Sequence, residues 1–100
     1  MNIKQSKANG KLTVYIEGNI DTSTAPTVQE YLAKEMGGVK ELVIDFSKVE
    51  YISSAGLRVL LFAQKSMKKQ GGSLLVVHVN SDIMETLELT CFTDIINIQK

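Results

Sequence analysis

The sequence has few of the features that mark secreted or membrane-spanning proteins. Cys91 is its only cysteine, which excludes an internal disulfide and favours a reducing compartment. The longest apolar runs, VLLFA and LLVV, are far shorter than the ~20 residues of a transmembrane helix. The first residues, MNIKQSKANGK, lack the apolar segment of a secretory signal. We therefore predict a soluble, cytoplasmic protein with no direct membrane insertion.

An excess of charge is also absent, because 11 basic residues are balanced by 11 acidic ones. A nucleic-acid-binding domain concentrates positive charge against phosphates, so no nucleic-acid partner is predicted. There is one histidine, His78, and no cluster of His, Cys and Asp has the spacing of metal ligands. The phosphate-binding patterns GxxxxGKS/T and GxGxxG are missing too. No metal and no cofactor are therefore expected.

A serine hydrolase would depend on Ser54 and His78. The segment SSAG lacks the first glycine of the GxSxG nucleophile elbow, which permits a strained turn. His78 lies in LLVVHVN, a strand-like run, rather than in a loop. We predict that the protein is not an enzyme, with a small hydrolase as an alternative that ester-hydrolysis assays would detect.

Strand and helix patterns alternate along the 100 residues, a length typical of one domain, 1–100. Apolar and polar residues alternate in KLTVYIEG, and the preceding Asn9-Gly10 suits the type I′ turn of a β-hairpin. KELVIDF and SLLVVHV are typical of buried strands, and DIINI of a short edge strand. Helix patterns lie between them. This order predicts an α/β fold: a mixed, mostly parallel sheet with an N-terminal antiparallel hairpin and helices packed around it.

Local signals predict where the helices begin and end. A hydroxyl in TSTAP is expected to cap the first helix, with Pro26 in its first turn. The run NSD offers caps for the third helix, where Asp82 and Glu85 are spaced for a variant capping box. Gly37-Gly38 and Gly71-Gly72 are expected to end the first and second helices.

Two serines, Ser53 and Ser54, stand between the KELVIDF strand and the second helix. Serine is a favoured N-cap, so capping alone could account for them. The position also suits a modified hydroxyl, since the free amides and the dipole at a helix start stabilise an anion such as phosphate. Spacing does not decide between the two functions, and both remain open.

Two motifs in this sequence resemble those of STAS domains, the family of the anti-sigma factor antagonists. The first is DFSKVEYISSAGLRVLL, and it matches at Asp45, Phe46, Ser47, Val49, Tyr51, Ile52, Ser54, Gly56 and Leu57. The second is GNIDTSTAPTVQEYL, similar to Gly-x-Leu/Ile-Asp-x-x-Thr/Ser-Ala, and it matches at Gly18, Ile20, Asp21, Thr24 and Ala25. The resemblance covers essentially the whole chain and implies a STAS fold.

The resemblance implies an anti-sigma factor antagonist that acts by partner switching in transcription regulation. An unphosphorylated antagonist of this kind binds an anti-sigma factor with serine-kinase activity and so frees the sigma factor. Phosphorylation releases the antagonist, and a PP2C-type phosphatase restores it. Carried over to this sequence, the phosphorylated residue is Ser54. Many members have Asp where this chain has Ser53, which makes Ser53 a rival acceptor.

The partner is expected to bind at the starts of the first two helices, because parallel strands would place both at one end of the sheet. The predicted contact residues are Asp21, Thr22, Ser23, Thr24, Ser53, Ser54, Ala55, Gly56 and Leu57. The family also offers an alternative function, a soluble STAS scaffold subunit of a membrane transport assembly. Such a scaffold meets no kinase, so the presence of Ser54 favours the switch.

Overall fold

The computed structural model of the protein describes all 100 residues. Its strands are β1 (Asn2–Ala8), β2 (Lys11–Glu17), β3 (Glu41–Lys48), β4 (Ser73–Val77) and β5 (Asn97–Ile98). Its α-helices are α1 (Ala25–Glu35), α2 (Ser54–Lys69) and α3 (Ser81–Leu89). A single 3₁₀ turn, Phe92–Asp94, lies between α3 and β5.

The five strands form one sheet in the order β1-β2-β3-β4-β5. β1 and β2 are antiparallel, and every later neighbouring pair is parallel. The hairpin turn has φ values of 50° at Asn9 and 80° at Gly10, the left-handed conformation that a type I′ turn requires. The predicted hairpin and the mostly parallel sheet are both confirmed, and β3 and β4 are neighbours as their buried character indicated.

Alternate strand residues face the helices and are buried: Leu12, Val14, Ile16, Leu42, Ile44, Phe46, Leu74 and Val76. They join the buried faces of the three helices in one core of 26 residues. The positions between them, such as Thr13, Val43 and Leu75, are only half-buried. The helices therefore cover one face of the sheet and leave the other open. None of the three helices has the length and apolar character that a membrane span requires.

The ends of the helices follow the local signals in most places. Gly38 and Gly71 have φ values of 77° and 76°, in the left-handed region that commonly follows a helix. Asn80 caps α3 by accepting a hydrogen bond of 2.8 Å from the amide of Ile83. The predicted capping box with Glu85 is wrong, because a cap at Asn80 puts Ile83 rather than Glu85 at the third helical position.

Candidate functional site at the starts of α1 and α2

The loop from β2 to α1 and the loop from β3 to α2 lie side by side. Ile20 and Ile52 form an isolated parallel bridge between them. The amide of Ile20 donates to the carbonyl of Tyr51 at 3.0 Å, and the amide of Ser53 donates to the carbonyl of Ile20 at 2.8 Å. The starts of α1 and α2 are therefore neighbours at the carboxyl end of the sheet, as the parallel order of the strands predicted.

Gly56 is the closest point of contact between α2 and these loops. A methyl group on its Cα would lie 2.5 Å from Cγ1 of Ile52, 2.9 Å from Cγ2 of Ile20 and 3.0 Å from the Ile20 carbonyl oxygen. Distances under 3.0 Å are essentially never found around a real Cβ. Only glycine fits here without a shift of the backbone, so Gly56 allows the two helix starts to approach each other.

The two serines have different environments. Ser53 is the N-cap of α2, and its Oγ accepts a long hydrogen bond of 3.5 Å from the Gly56 amide. Ser54 is the first residue of the helix; it is exposed, and its hydroxyl makes no hydrogen bond within the protein. One serine thus caps the helix, and the other presents a free hydroxyl beside helix amides that favour an anion.

The side chain of Asp21 organises the loop that leads into α1. Its Oδ1 accepts hydrogen bonds from the Ser23 hydroxyl at 2.7 Å, the Ser23 amide at 2.9 Å and the Thr24 amide at 3.1 Å. The hydrogen bond from the Ser23 hydroxyl, followed by that from the Thr24 amide, lowers the pKa of the Asp21 carboxyl. A carboxylate that stays ionised is therefore held at the edge of the site.

The prediction that a hydroxyl of TSTAP caps α1 is wrong. Thr24 occupies the cap position, but its hydroxyl donates to the carbonyl of Asn19 at 2.7 Å and accepts from the amide of Asp21 at 2.9 Å. The hydroxyl is used within the loop and is not available to the helix amides. Pro26 lies in the first turn of α1 as expected, where its missing N–H has no helical partner to lose.

The predicted partner-contact residues form one surface, but they are not equally accessible. Thr22 and Ser23 are exposed, like Ser54, and Ala55 is half-buried. Gly56 and Leu57 are buried. These last two residues can influence a partner only through the shape and backbone of the helix start, because little of either is exposed.

Asn80 is a site residue that the sequence indicated only as a helix cap. While its Oδ1 caps α3, its Nδ2 donates to the carbonyls of Val49 and Glu50, each at 3.3 Å. The loop that presents the two serines is therefore tied to the start of α3 by one amide side chain. A contact between residues about thirty positions apart has no local sequence signal.

A contact between two side chains, Asp45 in β3 and His78 just after β4, also has no signal in the sequence. Oδ2 of Asp45 lies 2.9 Å from Nδ1 of His78, and its Oδ1 accepts from the Ser47 amide at 2.8 Å. His78 lies just beyond β4 with a φ of 59°, rather than inside a strand. The imidazole Nδ1 is thus bonded to Asp45, and neither imidazole nitrogen forms a hydrogen bond with the hydroxyl of Ser54, the contact between nucleophile and base that a serine hydrolase uses.

The Asp45 carboxyl is kept ionised by its hydrogen bonds. Its burial raises the pKa, but hydrogen bonds from the Ser47 amide and hydroxyl, together with the contact from His78, outweigh that effect. The pKa of Asp45 in the folded protein is therefore below its ordinary value of 3.8. Because the folded-state pKa is depressed, the ionised carboxylate stabilises the fold above the unfolded-state pKa, and this contribution is lost as the pH falls through the folded-state value.

We expect Asp45→Asn to lower the free energy of unfolding by about 1–2 kcal/mol at neutral pH, because the amide cannot replace a charged acceptor. The difference from the wild-type protein should shrink on acidification below about pH 4, where the carboxyl of the unfolded chain is protonated. Urea unfolding at a series of pH values measures the loss of stability at neutral pH and its decrease at low pH. Glu88→Gln, which neutralises an exposed carboxylate, serves as the control. A difference that stays constant down to about pH 3 would contradict the assigned pKa shift.

The largest concavity lies at the other end of the sheet. Its volume is about 700 Å³, and its lining includes Glu41 and Ser73 at the starts of β3 and β4 and Gln99 near the chain end. Its only titratable lining residues are Lys11 and Glu41, which are neighbours across β2 and β3. The candidate site lies at the opposite end of the sheet, at the carboxyl ends of β2 and β3, where the Asp21 loop meets the loop that leads to Ser54.

Comparison with known proteins identifies the family. A family model described as STAS domain matches residues 2–100. The anti-sigma-B factor antagonist of Listeria monocytogenes is 35% identical over 91 residues, which are 88% of this chain and 78% of that protein. Its counterpart in Bacillus subtilis is 32% identical over 98 residues, 98% of this chain and 90% of that protein. A crystal structure of an anti-sigma factor antagonist from Mycobacterium paratuberculosis has a TM-score of 0.87 at 25% identity, covering 98% of this chain and 84% of that one.

Proposed function

This chain belongs to the STAS domain family, and we propose that it is an anti-sigma factor antagonist rather than an enzyme. The similarity to curated antagonists extends over nearly the whole chain, and both relatives above are more than 30% identical to it. Its place of action would be the cytoplasm, where sigma factors work. The function is therefore recognition of another protein, and its residues serve binding and regulation.

We infer that the partner is an anti-sigma factor with serine-kinase activity, and that it binds across the starts of α1 and α2. The two loops there are held together by backbone hydrogen bonds, so their exposed side chains form a preorganised surface. Asp21 offers an ionised carboxylate at this surface, and Ser54 offers a free hydroxyl. A surface that is already ordered loses little conformational entropy on binding.

The exposed hydroxyl of Ser54 is the observation that carries the proposal. In the reaction with ATP, Oγ of Ser54 would bond to the γ-phosphorus, ADP would leave, and the hydroxyl proton would be lost. The product carries about −1.5 to −2 charges on a side chain that was neutral before. Release of the partner follows from that charge, and a PP2C-type phosphatase would restore the binding form by hydrolysing the phosphate.

Two substitutions test whether the Asp21 loop belongs to the interface. We expect Asp21→Ala and Ser23→Arg each to weaken binding of the kinase-type anti-sigma factor, by about tenfold or more, because both change the surface beside Ser54. Isothermal titration calorimetry with the purified partner measures the affinity. Ser23→Arg should unfold within a few °C of the wild-type protein, as expected for an exposed position whose substitution changes stability by about 0.5 kcal/mol. Asp21→Ala should unfold at a lower temperature than Ser23→Arg, because it loses the hydrogen bonds from Ser23 and Thr24.

Ser6→Arg is the matched control for the second variant, because Ser6 is exposed in β1, away from both helix starts. It should bind the partner like the wild-type protein. Wild-type affinity in both loop variants would place the interface elsewhere. If no kinase-type anti-sigma factor bound even the wild-type protein, the scaffold function in a transport assembly would be favoured instead.

A further inference from the structure

Arg58 is an exposed cation on α2 without an assigned role. It lines a groove of about 510 Å³ between α1 and α2, together with Ala25, Gln29 and Val59. Its guanidinium makes no salt bridge and no hydrogen bond within the protein. The carboxylate of the same groove, Glu30, is paired with Lys34 at 3.4 Å. The groove therefore contains one unpaired cation and no other positive charge.

Arg58 follows Ser54 by four residues in the same helix. Residues at this spacing are neighbours on one helix face, about 6 Å apart along the axis. The Cα–Cβ bond in a helix is tilted toward the N-terminus, so a long side chain covers the turn that precedes it. Both residues are exposed, and a side chain of the length of Arg58 can reach the turn that begins at Ser54.

We propose that Arg58 binds the phosphate of phosphorylated Ser54 within the same molecule. The Arg58 guanidinium can then no longer pair with a carboxylate of the bound partner. The inference rests on the proposed phosphorylation of Ser54. The order of the pair, with the anion four residues before the cation, is the favourable one in a helix. A guanidinium and a phosphate can form two parallel, charge-assisted hydrogen bonds.

Nearby negative charge increases the importance of this contact. The carboxylate of Asp21 lies in the loop that is bonded to Ser53, and Glu50 precedes the serines by a few residues. Both disfavour a dianionic phosphate at Ser54. Arg58 is the cation placed to offset them, since Lys65 lies seven residues further along α2. Before phosphorylation the same unpaired charge attracts an acidic group on the partner.

The contact within the molecule can be tested without any kinase. Phosphoserine is incorporated at position 54 during synthesis, and the second pKa of the phosphate is measured by phosphorus NMR titration at low salt. We expect Arg58→Gln to raise that pKa by about half a unit, because the dianion loses a neighbouring cation. Lys65→Gln removes the same charge from the same helix and should leave the pKa unchanged. Equal values for the wild-type and Arg58→Gln proteins would overturn the contact.

Partner binding tests the second half of the proposal. We expect unphosphorylated Arg58→Gln to bind the kinase-type anti-sigma factor about tenfold more weakly than the wild-type protein. Phosphoserine at position 54 should then reduce its affinity by a smaller factor than in the wild-type protein, since no cation remains to be removed. If phosphoserine at position 54 reduced the affinity of Arg58→Gln by an equal or larger factor, the proposed loss of the contact between Arg58 and the partner would be wrong. Failure of the parent proposal has another signature: the wild-type protein neither binds this partner nor is labelled by it, whatever the NMR result.

Discussion

We expect the Gly56→Ala protein to unfold about 10 °C below the wild-type protein, a loss of about 2 kcal/mol in the free energy of unfolding. The added methyl group would lie 2.5 Å from Cγ1 of Ile52 and 3.0 Å from the carbonyl oxygen of Ile20. Ile20 and Ile52 are 1% and 4% exposed, so neither side chain can move into solvent. The backbone oxygen of Ile20 is also fixed, because it accepts the hydrogen bond from Ser53.

Helix propensity acts in the opposite direction but is too small to compensate. Alanine is favoured over glycine in a helix by about 1 kcal/mol, while overpacking a buried contact costs about 1–3 kcal/mol and relaxation here is blocked on two sides. Gly37→Ala is the matched control, since a Cβ there meets nothing within 4 Å and its φ is not positive. It should leave the unfolding temperature unchanged or slightly raised. Equal unfolding temperatures for both variants would show that the two loops can separate freely.

The second large effect is expected from phosphorylation of Ser54, which should weaken partner binding by about 100-fold. Added charge at the centre of a contact is unfavourable unless the partner supplies cations to match it. Incubation with the kinase-type anti-sigma factor and ATP should add one phosphate, which peptide fragmentation should place on Ser54. Ser54→Ala should prevent the modification and still bind, because one exposed hydroxyl contributes little to a contact area.

The two serines can be distinguished by their variants. Ser53→Ala loses the N-cap of α2, at a cost of about 1 kcal/mol, and should still accept phosphate on Ser54. Ser54→Asp should weaken binding less than phosphate does, because one carboxylate lacks the charge and the third oxygen. Phosphate on Ser53 of the wild-type protein, or full labelling of Ser54→Ala, would overturn the assignment of the acceptor.

Features that depend on neighbouring residues were predictable from the sequence. The hairpin follows from Asn9-Gly10, since few other dipeptides adopt positive φ at both positions. The parallel sheet follows from continuous apolar runs alternating with helix patterns, and the meeting of the two helix starts follows from that sheet. The sequence could not show that Ser53 caps α2 while the hydroxyl of Ser54 stays free, because either serine is an acceptable cap.

Features that depend on distant residues were not predictable. Asp45 and His78 are 33 positions apart, and Asn80 is 31 positions from Val49. No pattern in a single sequence indicates that the carboxylate of Asp45 contacts His78, or that the amide of Asn80 contacts the carbonyl of Val49. The wrong cap of α1 has a related cause: propensity shows that Thr24 can bond to helix amides, but not that the loop offers its hydroxyl two other partners.

The order of the strands in the sheet has a consequence for folding. Since the order in the sheet is the order in the chain, each new strand joins the edge made by the strand before it. No strand has to insert between two that are already paired, and each parallel pairing closes a single strand–helix–strand crossover, such as the one that brings Leu42 beside Leu12. On the ribosome the sheet can grow from the β1–β2 hairpin as the chain emerges, because synthesis proceeds from the N-terminus.

The same growth order gives the surface around Ser54 a sequence of assembly. Ile20 and Ser53 are both present once α2 has been made, so the two loops can pair before β4 and α3 exist. The hydrogen bonds from Asn80 to Val49 and Glu50 form only when the start of α3 arrives. The serine loop is thus tied to α3 only by a residue made about thirty positions later, so the surface around Ser54 is completed well after its two serines have been synthesised.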